Sequence, residues 1–197
     1  MDDEAQSGSN FSAERLEAFS DGVLAVIITI MAFELRAPVG AGLGDLSRRL
    51  PALLVYILSF TMIGIYWNNH HHLLRATPHI SGAVMWANLH LLFWLSLIPV
   101  MTEWIGGNYR HTWPAVTYGA VGLLAAIAYF VLVRTIIATN QRDSLVVQAL
   151  GSNTKGAVSV GLYVLAIGLA FVSPWLAYLV YVAIAVAWFV PDRRLTR

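Results

Sequence analysis

The sequence predicts an all-α integral membrane protein whose chain crosses the bilayer six times. Hydrophobic residues make up 58% of the chain, charged residues only 12%, and the mean hydropathy is +0.66. A soluble domain usually carries about 25% charged residues to cover its surface, so most of this surface must face lipid. Apolar segments of about 20 residues, the length that spans a bilayer, recur along the chain.

The first three apolar segments occupy about residues 14–35, 51–71 and 80–104. Ser12 is a candidate N-cap for the first segment, and the sequence Arg36-Ala37-Pro38 marks its end, because proline disfavours a helical residue before it. The second segment begins at Pro51 and ends in a run of histidines. The third contains Pro99.

The last three segments occupy about residues 113–139, 156–172 and 175–190. Ser173-Pro174 separates the fifth from the sixth, and Pro191 ends the sixth. Because the fifth segment is short, these two can also be read as one interrupted span. The predicted division is a polar cytoplasmic tail (1–13), a six-helix membrane domain (14–191) and a basic cytoplasmic tail (192–197).

The distribution of Lys and Arg predicts a multi-pass protein of the cell membrane with both termini in the cytoplasm. The acidic N-terminus lacks the positive start of a signal peptide, so we expect the first segment to be retained. With an even number of spans, one side receives eight basic residues and the other four. The larger set is Arg15, Arg75, Arg134, Arg142, Lys155, Arg193, Arg194 and Arg197, and the smaller is Arg36, Arg48, Arg49 and Arg110.

The residue content argues against several functional classes. The chain has no cysteine, which excludes disulfides, thiol catalysis and cysteine-ligated metals. No basic run is long enough to follow a phosphate backbone, so we expect a lipid bilayer and no nucleic acid as partner. We find no phosphate-binding loop, nucleophile elbow or paired catalytic carboxylates, and we predict that the chain is not an enzyme. The potassium-filter sequence TVGYG is also absent.

The first segment combines an uncharged stretch with acidic residues near its ends. Because an α-helix turns about 100° per residue, Gly22, Val26, Phe33 and either Thr29 or Ile30 share one stripe. Such a stripe lines a path or simply packs against lipid or another helix. Asp21 points away from it, towards the subunit's own bundle, where it is either functional or part of an ion pair with Arg15 or a histidine.

The histidine run at residues 70–72 predicts a polar cluster at the membrane interface rather than a metal site. Three adjacent histidines on a helix point in three directions, and His79, His90 and His111 add no metal-binding spacing. One of the histidines is expected to bond a buried carboxylate, and its titration near neutral pH would make gating pH-sensitive. Asn88, on the third segment, is a candidate for a hydrogen bond between helices.

Three motifs occur in a fixed order. They are residues 15–22 (RLEAFSDG), residues 66–71 (YWNNHH) and residues 88–99 (NLHLLFWLSLIP). The first resembles the RxxxFSD signature of the transmembrane protein 175 family, the lysosomal potassium channel and its prokaryotic relatives. The second is similar to that family's YW-x-x-HH ending of the second helix, and the third to its third-helix run.

The resemblance implies a single-repeat, homotetrameric potassium-permeable channel whose first helices line the pore without a separate filter loop. It places the apolar constriction at Val26, a hydroxyl implicated in potassium preference at Thr29, and a further pore-facing position at Phe33. Ile30 lies on the same stripe and is assigned to the pore lining. Bound groups are expected to be monovalent cations, K⁺ in the pore, and no cofactor.

The resemblance also implies a polar network that holds the pore helix. Its members are Arg15, Ser20, Asp21, Trp67 and a histidine of the pair His70 and His71. Glu34 would form a ring of carboxylates at the outer mouth that concentrates cations. The alternatives are a proton-permeable channel in the same pore and a secondary transporter, which would show inverted repeats with broken helices.

Overall fold

The computed structural model describes residues 2–140 and 154–189, so the basic tail predicted at residues 192–197 lies outside the described part. Within these residues all regular structure is helical. Seven helices follow in order: α1 (Asp2–Glu34), α2 (Leu43–Arg75), α3 (Gly82–Ser96), α4 (Ile98–Asn108), α5 (Thr112–Thr139), α6 (Thr154–Ala170) and α7 (Pro174–Phe189).

The helices provide six membrane-crossing segments, which confirms the predicted fold class. Four segments have the length and composition of a span, and α3 and α4 together form one of them: Ala13–Glu34, Leu43–Arg75, Gly82–Asn108 and Thr112–Thr139. The shorter apolar helices α6 and α7 complete the set. Tyr163 contacts Tyr181 and Ser159 bonds Trp188, so α6 and α7 form an antiparallel hairpin rather than one interrupted span.

The first two helices begin earlier than predicted. Helix α1 runs from Asp2 through Ser12, so the N-cap prediction for Ser12 is wrong and most of the predicted N-terminal tail is helical. Helix α2 begins at Leu43 and contains Pro51 in its interior. The Asp45 carboxylate accepts a hydrogen bond from the Gly42 amide at 3.3 Å, which stabilises the helix start upstream of the proline.

The third predicted segment is interrupted. Leu97 separates α3 from α4, and its amide bonds the Trp94 carbonyl in a tightened turn. Pro99 stands in the first turn of α4 and has no N–H to continue the α-helical hydrogen bonds. The predicted third segment is confirmed as one span, Gly82–Asn108, which contains this break.

Helix α5 packs tightly against the α6–α7 hairpin because it carries glycine where tyrosines approach. A Cβ added at Gly122 would lie 2.5 Å from the Tyr163 ring, and one at Gly119 would lie against the Tyr181 hydroxyl. Small residues allow such close approach between membrane helices. On its other side α5 packs against α3, and α1 packs against α2, α3 and α4. The bundle thus fixes one face of α1.

Candidate functional site

Helix α1 has two faces of opposite character. One face is packed in the bundle, where Leu24 and Met31 are each 1% exposed. The other face carries exposed apolar residues, with Val26 at 56%, Ile30 at 43% and Phe33 at 82%. Gly22 and Thr29 are exposed on the same side. The structure therefore places all the residues of the predicted stripe on one face that the subunit itself leaves uncovered.

A groove of about 630 Å³ runs along this exposed face. Val26 and Ile30 line one wall, and Ser96, Pro99 and Val100, around the break between α3 and α4, line the other. From Val26 to Phe33 the helix rises about 10 Å, a third of the hydrocarbon thickness of a bilayer. The face is long enough to form the narrow part of a membrane path.

Thr29 carries the hydroxyl on the exposed face, and the proton of this hydroxyl is already engaged in a hydrogen bond. Its Oγ1 donates a hydrogen bond to the Ala25 carbonyl at 2.7 Å. A hydroxyl oxygen has two lone pairs besides its donor hydrogen. With the proton directed to the helix backbone, the oxygen presents those lone pairs to the exposed side, where they suit a cation.

The opposite face of α1 is held by a buried chain of polar side chains that spans three helices. Asn88 of α3 donates a hydrogen bond from its Nδ2 to the Ser20 hydroxyl at 2.9 Å. Its Oδ1 lies 2.6 Å from Nε2 of His70 on α2, which acts as the donor. Ser20 in turn donates to the Leu16 carbonyl at 2.8 Å. All three side chains are buried, so this chain of bonds fixes the rotation of α1 relative to α2 and α3.

A second set of contacts joins α1 to the end of α2. The Trp67 indole N–H donates to Oδ1 of Asp21 at 2.9 Å. Nδ1 of His71 lies 2.7 Å from Oε1 of Glu17. Glu17 is half-buried and this nitrogen forms no hydrogen bond within the described residues, so the predicted bond from a histidine to a buried carboxylate stays a prediction. Glu17, Asp21 and His71 also offer ligand atoms close together, although the sequence predicted no metal site. Arg15 is exposed, and its place in the network stays a prediction.

At the other end of α1, Glu34 is half-buried rather than fully displayed on the exposed face. It lines the groove but also a cavity of about 190 Å³ that it shares with Arg36, Arg49 and Glu103. Its Oε2 atom is buried and has no hydrogen-bond partner in the described part of the chain. Two arginines and two carboxylates thus line this cavity, and the ring at the outer mouth stays a prediction.

The structure confirms the predicted hydrogen bond of Asn88 between helices, but sequence reasoning did not identify its partners and left Glu17 out of the network. A signal existed for both residues. Asn88 is a lone amide in the apolar helix α3. Because water is absent from the bilayer core, such a group needs a hydrogen-bond partner on another helix. Glu17 lies four residues before Asp21 and hence on the same side of α1, which the helix period predicts.

Comparison with known proteins places these features in one family. The sequence profile described as endosomal/lysosomal potassium channel TMEM175 matches residues 15–99, which hold the later part of α1, all of α2 and α3, and most of the contacts above. A potassium channel from Chryseobacterium sp. (strain P1-3) is 47% identical over 183 residues, which cover 93% of this chain and 95% of that protein. A potassium channel from Streptomyces collinus is 31% identical over 81% of this chain and 82% of its own length.

The fold has a counterpart among solved structures. The crystal structure of a lysosomal potassium-selective channel TMEM175 homolog from Chamaesiphon minutus superposes with a TM-score of 0.80. The two chains are 27% identical, and the match covers 92% of this chain and 98% of that one. The resemblance therefore includes the second half of the chain, where the sequence motifs gave no support beyond the number of spans.

Proposed function

This chain belongs to the endosomal/lysosomal potassium channel TMEM175 family, and from that premise we propose that its first helices surround a central pore for K⁺. The protein is a multi-pass membrane potassium channel and not an enzyme. What remains to be assigned is the path of the ion and the residues that line it.

The observation that carries the proposed path is the uncovered face of α1. Buried polar bonds fix this helix on one side, while Val26, Ile30 and Phe33 are exposed on the other. A helix held so firmly at its back presents a rigid front. We infer that this front faces the axis of a homotetramer, with one α1 from each subunit.

The chemistry of the face suits passive conduction. A ring of four Val26 side chains would form an apolar constriction, of the kind that gates channels by dewetting. One helical turn further on, Thr29 oxygens would offer lone pairs to an ion that has shed part of its water. Ile30 and Phe33 would continue the apolar wall towards Glu34. Conduction down a gradient then needs no second substrate.

The orientation follows from the distribution of basic residues, since eight of them belong to one side and four to the other. We propose that the end of α1 near Glu17 and Asp21 faces the cytoplasm of the cell, as the positive-inside rule favours. Both termini would then be cytoplasmic, and the cavity around Glu34 would face outwards.

The test is ion flux into liposomes that contain only the purified protein. A K⁺ gradient alone should drive flux, and flux with Na⁺ replacing K⁺ should be slower. Flux is also compared with and without a proton ionophore, which distinguishes movement of protons through the same pore from movement of K⁺. Flux that requires a second solute would instead establish a transporter, and absence of flux under every gradient would refute the proposed path.

A further inference from the structure

A compact group of metal-ligating side chains lies on the side of α1 that faces α2. Glu17 and Asp21, one turn apart on α1, and His71 on α2 each offer a ligand atom, and these atoms all lie within 4.8 Å of one another. None of the three belongs to the proposed pore face. We propose that Glu17, Asp21 and His71 bind a divalent cation of the zinc class, which joins α1 to α2.

The geometry of the contact between His71 and Glu17 is the first support. Oε1 of Glu17 lies 2.7 Å from Nδ1 of His71, yet this buried nitrogen forms no hydrogen bond within the described residues. The oxygen therefore lies close to the nitrogen but out of line with a ring N–H. An imidazole nitrogen and a carboxylate oxygen that lie this close without a hydrogen bond form an arrangement that a divalent cation satisfies, because the ion accepts both as ligands.

The surroundings also hold the ligands in place. The His71 ring stacks on Trp67 with 5.8 Å between ring centroids and 27° between planes. The same indole donates to Oδ1 of Asp21 at 2.9 Å, which leaves Oδ2 for an ion. Such outer contacts orient ligating side chains in metal sites. Trp67 thus supports two of the three ligands at once.

The donor set selects the class of metal. Zinc binds nitrogen and carboxylate oxygen at about 2.0–2.2 Å, so ligand atoms on one ion lie about 3–3.6 Å apart. Side-chain adjustments of about 1 Å would bring this cluster to that geometry. Imidazole with two carboxylates suits Zn²⁺ better than Ca²⁺ or Mg²⁺, which prefer oxygen ligands alone. With side-chain exposures of 26% for His71 and 19% for Glu17, the cluster remains accessible to water as a fourth ligand.

The experiment measures zinc binding directly. The full-length protein, freed of any histidine tag, is dialysed against graded Zn²⁺, and the bound metal is determined by elemental analysis. We expect Glu17→Gln and His71→Gln each to weaken Zn²⁺ binding by more than about tenfold. His72→Gln, which removes the neighbouring imidazole outside the cluster, should retain the wild-type affinity. Thermal unfolding should shift upwards with Zn²⁺ relative to chelator in the wild type and His72→Gln, and not in Glu17→Gln.

Equal affinity in the wild type, Glu17→Gln and His71→Gln would overturn the site, as would the absence of Zn²⁺ binding to the wild type. Glu17→Gln keeps the shape of its side chain, so it decides the matter if His71→Gln does not fold. Neither measurement uses ion flux. The result is therefore independent of the proposed conduction path.

Discussion

The two faces of α1 differ in what their side chains meet. The back of the helix places Ser20 and Leu24 against the bundle, where they are at most 1% exposed. The front leaves Val26 and Phe33 at 56% and 82%. Both faces are built mainly from apolar residues, so hydropathy alone does not distinguish them. The buried hydrogen bonds at the back of the helix therefore determine which apolar residues lie on the front.

The largest expected effect is a loss of stability when a buried residue on the back of α1 is substituted. Leu24→Ala should lower the free energy of unfolding by about 2–4 kcal/mol, because it opens a cavity in a packed interior. Ile30→Ala on the front removes a similar volume and should change the stability of the isolated subunit far less. Thermal unfolding in detergent measures both. Equal losses for the two variants would mean that the front is also packed within the subunit.

The second-largest loss of stability should come from breaking the buried chain of hydrogen bonds around Asn88. Asn88→Leu leaves the Ser20 hydroxyl and the His70 ring without their shared partner. Leaving buried polar groups unpaired costs about 1–3 kcal/mol. Asn108→Leu is the matched control, since Asn108 is exposed and bonds only within its own helix turn. Melting temperatures that fall equally in the two variants would show that the hydrogen bonds of Asn88 do not stabilise the fold.

On the front, the largest effect should be on conduction rather than on folding. Val26→Asn should raise K⁺ flux in liposomes by about tenfold, because an amide ring wets a constriction that valine keeps dry. The melting temperature should stay close to the wild-type value. Unchanged flux at normal reconstitution would remove Val26 from the pore.

The smallest expected effect is on ion preference. Thr29→Val has nearly the same shape but lacks the oxygen lone pairs, so the ratio of K⁺ to Na⁺ flux should fall by about threefold, less than 1 kcal/mol. Thr29→Ser retains the hydroxyl and should retain the ratio. If Thr29→Ser loses selectivity as fully as Thr29→Val, the hydroxyl is not what distinguishes the ions.

Much of α1 followed from the sequence. The helix period placed Val26 and Phe33 on one stripe and turned Asp21 away from it, and the structure shows that arrangement. This succeeded because the rule is local: 100° per residue fixes relative directions whatever the helix packs against. The roles of these residues in a pore came from the family resemblance and remain to be tested.

The pairing of side chains in several contacts between helices did not follow from the sequence. The bond between His70 and Asn88 and the contact between His71 and Glu17 depend on how far α2 extends and how it is rotated against its neighbours. Those quantities are set by tertiary packing, which a single sequence does not display. The break at Leu97 had a visible cause in Pro99, but a proline also occurs inside α2 without ending it.

The interruption between α3 and α4 has a mechanical consequence. It divides this wall of the groove into two stiff helices that meet at Leu97, and Ser96, Pro99 and Val100 around the break line the groove. A rod with a missing backbone bond flexes most easily at that joint. Bending of the α3–α4 wall is therefore easiest at this joint, and a small tilt of α4 would change the width of the groove beside Val26 and Ile30.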